Sequence, residues 1–236
     1  MHEIKIFCDG GAIGNPGPGG WAAVIFHKEN NGGQGRVLEI GGSEKHTTNN
    51  KMELTAAIKA LGEVSERISE DFVVKVSTDS QYVINGITKW VYGWEKNGWK
   101  TSLKEPVLNQ DLWQILMSLV SELDVTWEHV RGHSGVILNE RVDYIANSFA
   151  RGQKPKLFEG TEKAYKDVLE TSPKSNSKRS GQAFSYISMV RGKIMTHKTW
   201  AECEKRVKGV IGAKFKKSFN AEEEAAIIEQ FKKISK

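Results

Sequence analysis

The stretch Phe72-Val-Val-Lys-Val-Ser-Thr-Asp-Ser-Gln-Tyr82 constrains the chain more than any other. Phe72, Val73, Val74 and Val76 form a nearly continuous run of β-formers, so residues 72–78 read as a short strand. Asp79 and Ser80 then supply a helix start, and Tyr82, Val83 and Ile84 begin the next helix. An acid where a buried strand gives way to a helix sits where open α/β sheets place their ligands. Taken alone, Asp79 reads first as a helix cap, and the rest of the chain changes that reading.

The segments around this hub extend the α/β pattern. Residues 3–9 alternate as a strand and end in Asp9, followed by the Gly/Pro turn of residues 10–20. Strands are expected at 21–26 and 36–40, joined by the hairpin-type turn Asn30-Asn-Gly-Gly33. Thr47-Thr-Asn-Asn50 opens a helix whose Leu54, Ala57, Ile58, Leu61 and Val64 share one face. Further helices are expected at 80–89, 109–122 and 139–150, and a fifth strand at 125–129. The fold class is α/β, a mixed five-stranded sheet flanked by helices.

Charge divides the chain. Residues 1–150 hold 14 Lys and Arg against 19 Asp and Glu, a balance of −5, whereas residues 181–236 hold 12 against 6, a balance of +6. A basic module on an acidic body points to a polyanion partner. Between them Thr171 to Gly181 is polar without an apolar period, which predicts a flexible linker within residues 152–182. The apolar pattern returns in 183–190, in the capping-box pattern Thr199-Trp-Ala-Glu202, in 214–219 and in the helical period of Ala225, Ile228 and Phe231. Residues 183–236 therefore read as a small α/β module after a first domain of 1–151. The longest apolar runs are too short to span a bilayer, and no secretory signal opens the chain. The distant pair Cys8 and Cys203 suggests a reducing compartment, the cytoplasm, without a disulfide framework.

Four acids stand at the edges of elements. Asp9 closes the first strand, Glu53 lies in the first turn of its helix, Asp79 follows the hub strand, and Asp143 lies on the last helix of the first domain. If the first and fourth strands are neighbours, Asp9 and Asp79 emerge side by side. Two like charges ~4 Å apart repel by about 4 kcal/mol at an effective dielectric of ~20, so such a cluster needs cations or raised pKa values. Oxygen-only ligands suit Mg²⁺ or Mn²⁺, and no Cys/His spacing for zinc is present. A phosphoryl-transfer site is the natural expectation.

Asp9-Gly-Gly-Ala-Ile-Gly-Asn-Pro-Gly, Thr48-Asn-Asn-Lys-Met-Glu-Leu-Thr-Ala-Ala57, Ser77-Thr-Asp-Ser-Gln-Tyr-Val83 and Gly132-His-Ser-Gly-Val-Ile-Leu-Asn-Glu-Arg-Val-Asp143 together resemble type 1 ribonuclease H across residues 3–151. The resemblance implies an endoribonuclease that cuts the RNA strand of RNA/DNA hybrids, leaving 5′-phosphate and 3′-hydroxyl ends. It implies two Mg²⁺ ions, for which Mn²⁺ can substitute, one activating water and the other stabilising the leaving oxygen. Asp9, Glu53, Asp79 and Asp143 are the implied metal ligands, and His133 the histidine of a movable loop that assists proton transfer or product release. Asn15, Asn49, Asn50 and Gln81 match positions that hold the hybrid through its minor groove, where amides suit 2′-hydroxyls and base edges.

Trp90, Trp94, Lys96, Trp99, Lys100 and Lys104 resemble the family's basic protrusion, with Trp99, Lys100 and Lys104 as substrate contacts and Trp90 and Trp94 as packing. Glu95, Glu105 and Leu108 weaken this grip. Tyr186, Thr199-Trp-Ala-Glu-Cys203 and Ala213-Lys-Phe-Lys-Lys217 resemble the hybrid-binding domain of eukaryotic ribonucleases H, akin to a viroplasmin module, although that module usually precedes the nuclease. The resemblance implies that Tyr186, Trp200, Phe215, Lys216 and Lys217 meet the DNA backbone. The expected partner is RNA/DNA hybrid, with double-stranded RNA as a second ligand of the tail, and the expected state is a monomer. An integrase or resolvase on the same fold lacks support from the Asn/Gln set. A non-catalytic hybrid binder would have lost at least one of the four acids, and all four are present.

Overall fold

The computed structural model describes residues 2–27, 34–67, 72–130, 136–171, 183–210, 212–218 and 221–234. The chain divides into two compact units, Met1–Ser177 and Lys178–Lys236. The first unit opens with three antiparallel strands, β1 (His2–Ala12), β2 (Gly17–His27) and β3 (Arg36–Thr47), followed by α1 (Asn49–Arg67) and β4 (Phe72–Thr78). A helical run continues as α2 (Gln81–Asn85), a π-helical turn over Gly86–Trp90 and α3 (Val91–Lys96). Then come α4 (Gln110–Glu122), β5 (Asp124–His129), α5 (Ile137–Ala150), β6 (Glu159–Thr161) and α6 (Glu162–Thr171).

Among the described residues the sheet has six strands in the order β5-β4-β1-β2-β3-β6. The five expected strands are present. The sixth, β6, pairs antiparallel with β3 and comes from the segment assigned to the linker. β1 runs parallel to β4, with Ile6 opposite Val76 and Phe7 opposite Ser77, so Asp9 and Asp79 leave the same edge of neighbouring strands.

The pleat of β1 sends Ile4, Ile6 and Cys8 to one face, where they are fully buried with Leu54, Ala57 and Leu61 of α1 and Trp113 and Leu116 of α4. The opposite face buries Ala22 and Val24 against Val142 and Ile145 of α5 and Tyr165 of α6. Each fully buried large apolar side chain contributes about 1.5–3 kcal/mol, so both faces are firmly held. Two glycines allow the close approaches that matter. A Cβ on Gly10 would lie 2.3 Å from the carbonyl carbon of Met52, where α1 passes the end of β1. One on Gly20 would lie 2.1 Å from the carbonyl oxygen of Ala146, where α5 crosses β2.

The sequence ends the first domain at residue 151, but the fold carries it further. Glu39 of β3 is fully buried and gathers four donors: Arg141 Nε at 2.7 Å and Nη2 at 2.8 Å, the Phe158 amide at 3.0 Å and Tyr165 Oη at 2.6 Å. Burial and the Glu39 charge push the Tyr165 phenol up. Residues 159–171 are thus part of the first unit rather than linker. The polar stretch 172–182 lies outside the described residues.

The second unit is a three-stranded antiparallel sheet, ordered β8 (Lys193–His197), β7 (Ser185–Val190), β9 (Lys214–Ser218), with α7 (Trp200–Val207) and α8 (Ala221–Ile234). Ile187 and Met189 on one face of β7 pack with Ile227 and Phe231 of α8. Thr199 caps α7, its Oγ1 accepting from the Glu202 amide at 3.3 Å, while Glu202 Oε2 accepts from the Lys198 amide at 3.1 Å. The reciprocal half of the expected capping box is therefore displaced by one residue.

Candidate active site

The four acids come from four elements and line one cavity of about 300 Å³ together with Gly11, Asn49 and Asn147. Asp9 sits near the end of β1, its Oδ1 accepting from the Gly10 amide at 2.7 Å. Glu53 is carried in by α1, and its Oε2 accepts from Ser80 Oγ at 2.5 Å. Ser80 rather than Asp79 is the N-cap of α2, with its Oγ also accepting from the Val83 amide at 3.1 Å. The cap is thus supplied by a neighbour, and Asp79 is spared that task. Asp143 faces the cavity from α5, one turn before Asn147, whose Nδ2 donates to Asp143 Oδ1 at 2.7 Å.

Crowding marks these carboxylates. Burial pushes Asp9 well above the usual carboxylate range, and the charges of Asp79 and Asp143 push it in the same direction. Glu53 is raised by burial and by Asp79, against the hydrogen bond from Ser80 that lowers it. Asp143 Oδ2 is sealed from solvent and has no hydrogen-bond partner. A buried oxygen acceptor left unmatched among negative charges suits a hard cation. Among the described residues, however, no three Asp, Glu, His or Cys side chains stand close enough to hold one ion. The acids ring the cavity without closing on a point, and Asp9, Glu53 and Asp143 each accept from a donor of the chain itself. The donor set fits divalent cations in chemistry; its spacing is that of a site not drawn together.

The amides form a second group beside the acids. Asn49 Oδ1 accepts from the Ala12 amide at 2.8 Å, and the Asn49 amide donates to Asn15 Oδ1 at 3.0 Å, so these two are locked to each other at the cavity rim. Asn50 and Gln81 are exposed at the starts of α1 and α2. His133 lies outside the described residues.

The protrusion divides in two. Trp99 is half-buried and packs on Trp94, ring centroids 6.5 Å apart, while Trp94 packs on Trp113 at 5.7 Å and on Trp90 at 5.7 Å. The structure therefore places Trp99 among packing residues and leaves Lys100 and Lys104 exposed.

In the second unit Trp200 bridges Tyr186, centroids 5.7 Å apart, and Phe215, 5.1 Å apart, with Trp200 39% and Phe215 52% exposed. Tyr186 lies directly opposite Lys217 in the β7–β9 register, so those two share a face. Lys216 points to the other face, where its Nζ donates to Gln230 Oε1 of α8 at 2.8 Å. The aromatic trio and Lys217 are brought together; Lys216 is not.

Several participants escape a sequence reading. Ser80 and Asn147 had a local signal, one residue after an acid and one helical turn after another. Glu39 and Arg141 had none, being 102 positions apart.

Comparison with known proteins places both parts of the chain among described families. Residues 1–151 match the family described as RNase H, and residues 196–227 match the one described as Ribonuclease H1 N-terminal domain. The chain is 49% identical over 152 residues to a protein named Ribonuclease H from Thermosynechococcus vestitus, covering 64% of this chain and 91% of that one. It is 46% identical over 156 residues to Ribonuclease HI of Caulobacter vibrioides, covering 66% and 98%. Among solved structures, LC9-RNase H1, described as a type 1 RNase H with the type 2 active-site motif, superposes with a TM-score of 0.61 at 28% identity, covering 76% of this chain and 92% of that one.

Proposed function

The chain belongs to the RNase H family, and we propose that it hydrolyses the RNA strand of RNA/DNA hybrids at the cavity ringed by Asp9, Glu53, Asp79 and Asp143. The observation that carries this reading is the arrival of four carboxylates from β1, α1, the end of β4 and α5 at one cavity, in a chain matched to the family over residues 1–151. Those four acids would hold divalent cations, Mg²⁺ or Mn²⁺. Such ions, when bound, activate water and stabilise the leaving 3′-oxygen of a phosphodiester.

The chain's own groups prepare the rest. Ser80 orients Glu53, and the Gly10 amide orients Asp9. The crowding that raises Asp9 is relieved when positive charge enters, so cation and proton compete for the site and loading strengthens as pH rises. Asn15, Asn49, Asn50 and Gln81 would read the minor groove, where amides can both donate to and accept from a 2′-hydroxyl, and this would select RNA as the strand that is cut. His133 would move a proton or ease product release from its loop. The expected ends are 5′-phosphate and 3′-hydroxyl.

The second unit would tether the substrate. Its aromatic trio, with Trp200 and Phe215 exposed, and Lys217 on the same face offer apolar surface to the sugars and positive charge to the phosphates of a nucleic-acid backbone. Its kinship to a viroplasmin module, and double-stranded RNA as a further ligand, belong to the same proposal. Both cysteines are buried and unpaired, which supports a reducing compartment such as the cytoplasm, and a monomer is proposed. No described helix is long and apolar enough to cross a membrane. The deciding assay presents labelled RNA/DNA hybrid, double-stranded RNA and double-stranded DNA to the full chain, each with magnesium and with chelator. Cleavage of the hybrid's RNA strand only, and only with magnesium, is expected; cleavage in chelator, or of DNA, would overturn the reading.

A further inference from the structure

α5 delivers Asp143 with a companion. Asn147 stands one helical turn further on and lines the same cavity. Its Nδ2 is 2.7 Å from Asp143 Oδ1 and 2.9 Å from the Asp143 carbonyl oxygen, so one amide grips both the side chain and the backbone of the acid. The other carboxylate oxygen, Oδ2, is sealed from solvent and has no hydrogen-bond partner. The two oxygens are therefore unlike: one is spent on an internal donor and one is left with unused acceptor capacity.

We propose that Asn147 is a positioning residue for the nuclease reaction, fixing the Asp143 carboxylate through Oδ1 so that Oδ2 remains free to take a divalent cation. The inference rests on the assignment of Asp143 as a metal ligand made above.

The physical case has three parts. A carboxylate on a helix ordinarily samples several rotamers, and ordering it on cation binding costs entropy. An amide one turn away, in the i, i+4 relation, suppresses that sampling in advance. A neutral donor also adds no charge of its own, so the cavity keeps the negative potential that draws a cation. A Lys or Arg there would compete with the ion for Asp143. Glu53 is held in the same manner by a neutral hydroxyl, that of Ser80. Two of the four acids are thus oriented by uncharged side chains, and Asp9 by a backbone amide.

The test uses the full chain with Asn147→Leu, which removes the donor and keeps a good helix former, and Asn147→Gln, which keeps an amide able to reach back four residues. Mn²⁺ binding to the substrate-free chain is followed by electron paramagnetic resonance, and hybrid affinity is measured separately in chelator. Asn147→Leu should weaken Mn²⁺ binding about fivefold, the weight of one net hydrogen bond, and raise by a similar factor the Mn²⁺ concentration for half-maximal cleavage. Hybrid affinity in chelator and the melting temperature should stay at the wild-type values, and Asn147→Gln should recover most of the loss. Unchanged Mn²⁺ affinity in Asn147→Leu would overturn the proposal. So would a loss of hybrid affinity with Mn²⁺ affinity intact, which would make Asn147 a substrate contact instead. Should Asn147→Leu melt early, Asn147→Ala provides the same comparison. A wild-type chain that neither binds Mn²⁺ nor cuts hybrid would sink the assignment of Asp143 itself, a result distinguishable from an equal response of wild type and variant.

Discussion

Two carboxylates on one sheet meet opposite fates. Glu39 on β3 is surrounded by Arg141, Tyr165 and the Phe158 amide, so its charge is matched by donors and a guanidinium. Asp9, two strands away on β1, is half-buried, accepts from the Gly10 amide and faces Asp79 and Asp143. A buried charge that the fold itself neutralises holds elements together. A charge that the fold crowds among like charges waits for something from outside. The contrast separates structural from functional acids in a chain that holds 29 of them.

The largest effect should come from the cavity acids. Asp79→Asn keeps shape and removes charge, so hybrid cleavage should fall by orders of magnitude while the circular dichroism spectrum and melting curve stay native. A fully active Asp79→Asn chain would dissolve the distinction. On the neutralised side, Glu39→Ala strands the Arg141 guanidinium, whose side chain is 7% exposed, and should cost about 3–5 kcal/mol of stability in denaturant titration. If Glu39→Ala melts like wild type, the pair holds nothing.

The third effect lies in the second unit. Trp200→Ala with Phe215→Ala removes the exposed aromatic surface and should weaken hybrid binding by about 1–3 kcal/mol, the scale of burying one or two large apolar side chains against the sugars. Lys217→Ala should also flatten the dependence of binding on salt, because fewer counterions are released. Unaltered affinity in the aromatic double variant would remove the tether.

The smallest effect is a matter of sign. Asp9 titrates higher in the folded chain than in the unfolded one, so above the ordinary carboxylate value of about 4 the folded state binds the extra proton. That contribution to stability is complete below the unfolded pKa and is lost as pH rises through the folded one. In chelator, the melting temperature should therefore carry a downward component as pH rises from about 4, and Asp9→Asn should flatten it. Adding Mg²⁺ should raise the wild-type melting temperature at neutral pH more than that of Asp9→Asn. A component of opposite sign would mean that Asp9 is already neutralised by the fold.

The sequence alone determined the strands that carry Asp9 and precede Asp79, the amphipathic α1 that bears Glu53, and the basic module with its aromatic residues. Each was legible because it rests on local periodicity or on a turn residue at fixed spacing. Only the tertiary structure decided that Glu39, Arg141 and Tyr165 share one buried network, that residues 159–171 fold onto the first unit, that Ser80 rather than Asp79 caps α2, and that Lys216 and Lys217 take opposite faces of β9. The reason is physical. A helix or strand is written in neighbours a few positions apart, whereas the partner of a buried charge is chosen by which elements the packed core brings together, here across 102 and 126 residues.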